Sequence, residues 1–139
     1  MVKVSDYIAD RLKNFYGVEN VFMITGGGAM HLNNGIGMKI PYISNHHEQA
    51  SAIAAEGYAR SSGKLAVVNV TTGPGGINCL NGVFGQWTDS VPVLYISGQV
   101  KFATTLASCP DLPLRQLGDQ EVDIITSVRH LTKYAAMVT

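Results

Sequence analysis

The sequence is poor in cysteine, in tryptophan and in net charge. Two cysteines, Cys79 and Cys109, and one tryptophan, Trp87, occur among 139 residues. The cysteines form no metal-type pair, and a reduced, buried thiol is the plain reading of each. Lys+Arg is 10 and Asp+Glu is 10. That balance argues against nucleic acid or an anionic membrane as the main partner, because both require a basic footprint. No apolar run approaches the ~20 residues that a bilayer span needs. The N-terminus, MVKVSDYIADRL, turns amphipathic at once and lacks a signal-peptide core, so a cytoplasmic protein is expected.

What is present suits one globular domain. The length is that of a single domain, and 46% hydrophobic residues suffice for a core. Glycine, with 15 residues, is plentiful. It clusters at Gly26-Gly27-Gly28, at Gly73, Gly75 and Gly76, and at Gly82 and Gly85. Such clusters mark tight turns or backbones that approach something closely.

Val4, Ile8, Leu12 and Phe15 recur at helical spacing, with Ser5 as the expected cap and Gly17 as the stop. Residues 18–25 read as a buried strand running into the first glycine cluster, and residues 29–35 as a short helix. Residues 41–44 read as a short strand, and residues 48–61, rich in alanine, as a helix. The β-branched run 65–71 reads as a buried strand feeding Gly73-Pro74-Gly75-Gly76. One helix is then expected to about Trp87, and a buried strand over 91–97. Residues 98–118, with Pro110 and Pro113, read as a long loop, and loops of that length are usually functional or mobile. A helix over 122–128 and a weak strand over 135–138 complete the pattern. Apolar strands alternating with helices predict an α/β, doubly wound, mostly parallel sheet covered on both faces. A sheet ending on a partial strand suggests that the polypeptide goes on.

Several familiar motifs fail. His47-Glu48 begins a zinc-protease pattern, but Ser51 stands where the second histidine is needed. Gly63-Lys64 is followed by Leu65 rather than Ser or Thr, so it is not a phosphate loop. Neither glycine cluster places a small residue third, as a dinucleotide fingerprint requires: His31 and Asn78 stand there. Ser97 is not in a GxSxG turn.

Three turns remain at the C-terminal ends of expected strands: Thr25-Gly26-Gly27, Asn45-His46-His47-Glu48 and Thr71 to Asn78. Ligands of open α/β sheets bind along that edge. Glu48 begins its helix, where the helix dipole favours a negative charge. Taken alone it is an ordinary helix-start acid. Its neighbours alter that reading. His47-Glu48-Gln49-Ala50-Ser51 continues through Ala54-Ala55-Glu56-Gly57-Tyr58-Ala59-Arg60. Then come Thr71-Thr72-Gly73-Pro74-Gly75-Gly76-Ile77-Asn78, Asp89-Ser90-Val91-Pro92-Val93 and Ile96-Ser97-Gly98-Gln99-Val100. This string, spanning Val4 to Tyr134, resembles the N-terminal, pyrimidine-binding domain of thiamine-diphosphate-dependent enzymes of the acetohydroxyacid (acetolactate) synthase and pyruvate decarboxylase type.

The resemblance implies a chemistry. The family's glutamate, here Glu48, hydrogen-bonds N1′ of the cofactor's aminopyrimidine, so that the 4′-nitrogen removes the thiazolium C2 proton. The cofactor then decarboxylates a 2-oxo acid, and the protein orients it and manages protons. Such a glutamate needs a raised pKa, which burial can provide. Gly73, Pro74 and Gly75 match the loop packing near the pyrimidine, and their lack of bulk would permit close approach. Asn78 is expected to line the site. Gly26 falls on the substrate-side glycine loop, and Gln120 matches a glutamine near the substrate. One of His46 and His47 at most is expected to assist proton transfer.

Two positions depart from the synthases. Thr25 stands where they usually carry proline, and Asp119 where an aromatic residue precedes the glutamine. Asp119 suits a more polar substrate, or is simply a solvated loop acid. The family holds the diphosphate through Mg2+ in a separate domain, whose motif is absent from this chain. A diphosphate-binding domain is therefore implied, from the rest of the polypeptide or from another subunit, in a homodimer or homotetramer. FAD is possible but not indicated. The competing readings are a decarboxylase of sugar or surface-polysaccharide synthesis, a non-catalytic interaction module with the same fold, and a nucleotide-binding α/β module.

Overall fold

The computed structural model describes residues 1–139. Four strands form one parallel sheet: β1 (Val21–Met23), β2 (Tyr42–Ser44), β3 (Ala66–Val70) and β4 (Val93–Ser97), in the order β2-β1-β3-β4. Phe22 is in register with Ile43 on one side and Val68 on the other, and Val68 with Tyr95. Six helices accompany the strands: α1 (Val4–Asn14), α2 (Met30–Gly37), α3 (Glu48–Ser62), α4 (Pro74–Asn78), α5 (Leu80–Asp89) and α6 (Ile124–Val128). The α/β expectation of a parallel sheet with helices on both faces holds. No helix is long and apolar enough to cross a membrane.

The alternation of side chains along the strands sorts the core into two layers. Val21, Met23 and Val67 pack with Ala9 and Leu12 of α1 and Ile36 of α2. Phe22, Ala66, Val68 and Val70 pack on the opposite face against Ala52, Ala55 and Ala59 of α3 and Val83 of α5. The alanines let α3 lie close to the sheet. Each helix pair crosses at a glycine. A Cβ on Gly82 of α5 would stand 2.5 Å from the Cβ of Ala52, and one on Gly35 of α2 would stand 2.7 Å from the carbonyl oxygen of Ser5.

The structure corrects several local expectations. Lys3, not Ser5, is the N-cap of α1; Ser5 lies one residue inside the helix, buried beneath Gly35. The stop at Gly17 does occur: its φ is +66°, and Val18 N–H donates to the Leu12 carbonyl at 2.9 Å. β1 has three residues rather than eight, because Val18 is spent on closing α1 and partner β2 ends at Ser44. The helix expected to run unbroken to Trp87 is split at Cys79 into α4 and α5. Residues 135–138 form no strand. The sheet is not fully covered either: β2 is exposed along its length and β4 is only half-buried. The 98–118 loop has internal structure, with two 3-10 turns at Phe102–Thr104 and Leu106–Ser108.

Candidate functional site at the C-terminal edge of the sheet

Glu48 is the first residue of α3, just beyond the end of β2. The preceding His47 has extended backbone, and its Nδ1 accepts the Gln49 N–H at 3.1 Å, capping the helix. The imidazole therefore fixes the direction in which Glu48 leaves the turn. His46 and His47 are both exposed, and His47 is committed to this cap.

The Glu48 carboxylate is half-buried, and its Oε2 accepts from Asn78 Nδ2 at 2.9 Å. Asn78, the last residue of α4, thus satisfies a polar group of the adjoining helix. The next residue, Cys79, donates its thiol to the Gly75 carbonyl at 3.4 Å and more weakly to the Glu48 carbonyl at 3.7 Å. Burial, and secondarily the Glu48 carboxylate, pushes the Cys79 thiol up to about 12. The thiol therefore stays neutral next to the carboxylate. The second oxygen of Glu48 has no side-chain partner in the chain.

Gly73 carries the sharpest turn of the site. Its φ is +58° and its ψ −108°. A Cβ there would stand 1.8 Å from the carbonyl oxygen of Gln120. Gln120 is itself in the left-handed region, with φ 57°. The two expected residues are therefore brought together, but by backbone: the Gln120 carbonyl covers Gly73, and the Gln120 side chain is exposed. Pro74 begins α4 at a position where proline is pre-organised. Gly75 and Gly76 meet Thr71 on one side and Ile124 on the other. Much of this loop's bareness is thus used by the chain's own packing.

Gly26 and Gly28 rest on Thr71 and Thr72. A Cβ on Gly26 would lie 2.5 Å from that of Thr71, and the Gly28 N–H donates to Thr71 Oγ1 at 3.1 Å. The Gly26–Gly28 loop is consequently a neighbour of the Gly73 turn. Sequence reasoning missed the clamp that assembles the far wall. Glu121 accepts the Leu106 N–H with both carboxylate oxygens, at 2.8 and 3.1 Å, and the Gly118 N–H at 3.4 Å. Gln116 Nε2 donates to the carbonyls of Gly118 and Glu121, both at 2.9 Å. Nothing in local spacing pairs Leu106 with Glu121, so only the folded loop reveals it.

An open cavity of about 560 Å³ lies between the glycine loop, the start of the 98–118 loop and the Gly118-Asp119 turn. Its polar side chains include His31, Gln99, Lys101 and Asp119. Lys101 and Asp119 are both exposed, and neither is in an ion pair. No three His, Cys, Asp or Glu side chains cluster to hold a metal.

Known proteins resemble this chain along nearly its whole length. Residues 2–127 match the model of the thiamine pyrophosphate enzyme N-terminal TPP binding domain. Acetolactate synthase 1, chloroplastic, of Zea mays is 36% identical over 142 residues, covering 98% of this chain and 20% of the relative. Acetolactate synthase, chloroplastic, of Arabidopsis thaliana is 36% identical over 141 residues, covering 98% of this chain and 19% of the relative. The acetolactate synthase large subunit of Haemophilus influenzae is 46% identical over 86 residues, covering 60% of this chain and 15% of the relative. The chain spans about one fifth of the length of the plant synthases it matches. A glutamate at the mouth of a parallel sheet, braced by the helix after a Gly-Pro-Gly turn, thus sits in a chain that belongs to the thiamine pyrophosphate enzyme family, as its N-terminal TPP binding domain.

Proposed function

We propose that this chain is the pyrimidine-binding part of an enzyme that decarboxylates or carboligates a 2-oxo acid, in the manner of an acetolactate synthase. The observation that carries the reading is the Glu48–Asn78 pair. One carboxylate oxygen is held at 2.9 Å by the Asn78 amide, and the other has no side-chain partner in the chain. A carboxyl group fixed at one oxygen and open at the other fits a ring nitrogen that exchanges a proton with it. When bound, thiamine diphosphate supplies the carbon nucleophile and the electron sink for breaking the bond to CO2.

The chain's own residues divide the remaining work. Glu48 holds and returns the proton at N1′ of the pyrimidine. Asn78 keeps the carboxylate aimed, and Cys79, neutral and buried, adds no competing charge. The Gly73-Pro74-Gly75 turn would lie against the pyrimidine through its exposed Pro74, with Gly73 and Gly75 buried in the chain's own packing. Gly26 and Gln120 border the substrate. Mg2+ and the diphosphate are held by a diphosphate-binding domain outside residues 1–139, either further along the polypeptide or in another subunit of a homodimer or homotetramer.

A second reading is favoured by one observation. Asp119 and Lys101 both line the cavity beside the glycine loop without an ion-pair partner. They suit a more polar substrate, such as that of a decarboxylase in sugar or surface-polysaccharide synthesis. Assay of the full-length protein with thiamine diphosphate and Mg2+ tests both readings. CO2 release from pyruvate supports the first, and release only from a 2-oxo acid whose side chain is hydroxylated or charged supports the second. If no 2-oxo acid is consumed and no cofactor binds, the chain is a non-catalytic module and the proposal fails.

A further inference from the structure

β3 carries one residue out of keeping with its surroundings. Its sequence is Ala66-Val67-Val68-Asn69-Val70, and every one of the five side chains is buried. Asn69 is 0% exposed, flanked in register by Met23 of β1 and Ile96 of β4. Valine would fill much the same space without placing an amide in an apolar layer. Burying an amide is unfavourable unless its polar atoms are bonded, and Asn69 Oδ1 has no partner.

Its other end is well bonded. Asn69 Nδ2 donates to Asn33 Oδ1 of α2 at 2.6 Å. Asn33 Nδ2 in turn reaches the Gly26 carbonyl at 3.4 Å, an oxygen that also accepts the Ala29 N–H at 3.1 Å. On its opposite side the same loop is held by Thr71, whose Oγ1 accepts the Gly28 N–H at 3.1 Å. The glycine loop is therefore pinned between two polar contacts. One of them is supported by a wholly buried amide whose second atom goes unsatisfied. Within the chain that amide bonds only Asn33.

We propose that Asn69 is a positioning residue for the substrate: through Asn33 it sets the place of the Gly26–Gly28 loop against the cavity. This rests on the reading of that loop as substrate-facing. Asn69 itself touches neither substrate nor cofactor. Its effect passes through the Gly26 carbonyl, so it bears on substrate binding more than on the proton transfer at Glu48.

The test uses the full-length protein with thiamine diphosphate and Mg2+, comparing Asn69→Val with the double variant Asn33→Leu, Asn69→Val. The single variant orphans Asn33 and is expected to lower Tm. The double variant removes both amides and is expected to recover most of that loss, since replacing both partners by apolar groups of similar shape is close to neutral. Two readouts separate positioning from mere stability. The KM for whichever of pyruvate, 2-oxobutyrate and 2-oxoglutarate the wild type consumes fastest should rise about tenfold in both variants. The cofactor's own half-saturation should stay within about twofold. Hydrogen exchange of the amides of Gly28 and Ala29 should accelerate in both variants, while that of α5 does not. A KM that returns to the wild-type value together with Tm in the double variant overturns the proposal. Unchanged exchange at Gly28 and Ala29 overturns it too, and that measurement needs no turnover. A wild-type protein that consumes no 2-oxo acid overturns the substrate reading instead, and the exchange result still decides whether the relay holds the loop.

Discussion

At the scale of single residues, Glu48 carries the proposed chemistry and its neighbours carry its geometry. Glu48→Gln keeps the shape and the contact with Asn78 but cannot trade a proton in the same way. In the complete enzyme it is expected to leave thiamine diphosphate affinity within a fewfold of wild type. Exchange of the cofactor's C2 proton, followed by NMR in deuterated buffer, should slow by orders of magnitude. Exchange at the wild-type rate would remove Glu48 from its assigned role. Cys79 gives a second prediction. Its thiol is raised from an ordinary 9.0 to about 12, first by burial and then by the Glu48 carboxylate. A thiol held above its unfolded value contributes stability that is full below pH 9.0 and is lost as pH rises through about 12. Iodoacetamide at pH 8 should label the half-buried Cys109 and spare Cys79 in the native protein, as peptide mass spectrometry would show. Equal labelling of both would contradict this burial.

At the scale of elements, close helix crossings govern the tolerance of glycine positions. Gly82 of α5 lies over Ala52 of α3, with 2.5 Å left for a Cβ. Gly82→Val is expected to force the helices apart and destabilise the fold by about 1–3 kcal/mol in urea denaturation. Gly57 is the contrasting case: it is mid-helix in α3 and exposed, with nothing within 4 Å of a Cβ. Gly57→Ala should stabilise the same fold by about 0.5–1 kcal/mol, through helix propensity and a less flexible unfolded chain. Opposite signs at two glycines of packed helices would confirm the crossing, and equal signs would refute it.

Much at this scale could be read from sequence. Val4, Ile8 and Leu12 announced α1, the alanines of 48–61 announced α3, and the Val-rich run 65–71 announced β3. The errors arose where distant parts of the chain decide. Ser5 has the chemistry of a cap, yet Gly35 packs against it and buries it inside the first turn. At the break the Cys79 N–H closes a tighter turn on the Gly76 carbonyl at 3.1 Å, and the Cys79 side chain lies against Glu48, 31 positions away. The absent strand at 135–138 lacks a neighbouring strand to bond, and local propensity says nothing about neighbours.

At the scale of the whole molecule, the site is a set of turns along one sheet edge, closed on its far side by the 98–118 loop. Glu121, by gripping the Leu106 and Gly118 amides, ties that loop to the neighbouring Gln120, whose carbonyl covers Gly73. On the proposed reading this chain offers the cofactor one carboxylate and a turn of small residues, and it has no cluster of metal-binding side chains. Calorimetric titration of thiamine diphosphate with Mg2+ into residues 1–139 alone should therefore give binding at least about a hundredfold weaker than to the full-length protein, a difference of ~2.7 kcal/mol. Equal affinities would mean that the diphosphate is held here, against the proposed division between domains.

The sequence by itself determined the parallel α/β plan, the placing of Glu48 at a helix start and the order of blocks by which the family is recognised. These depend on local periodicity, on turn residues and on spacing, all of which are written along the chain. Only the tertiary structure decided that Asn78 braces Glu48, that the Gln120 carbonyl rather than its side chain meets Gly73, and that Asn69 supports the glycine loop through Asn33. Each of these is a contact between residues 30 or more positions apart, apart from the last short step from Asn33 to Gly26. Such contacts exist only once the sheet order β2-β1-β3-β4 has brought the strand ends to one edge.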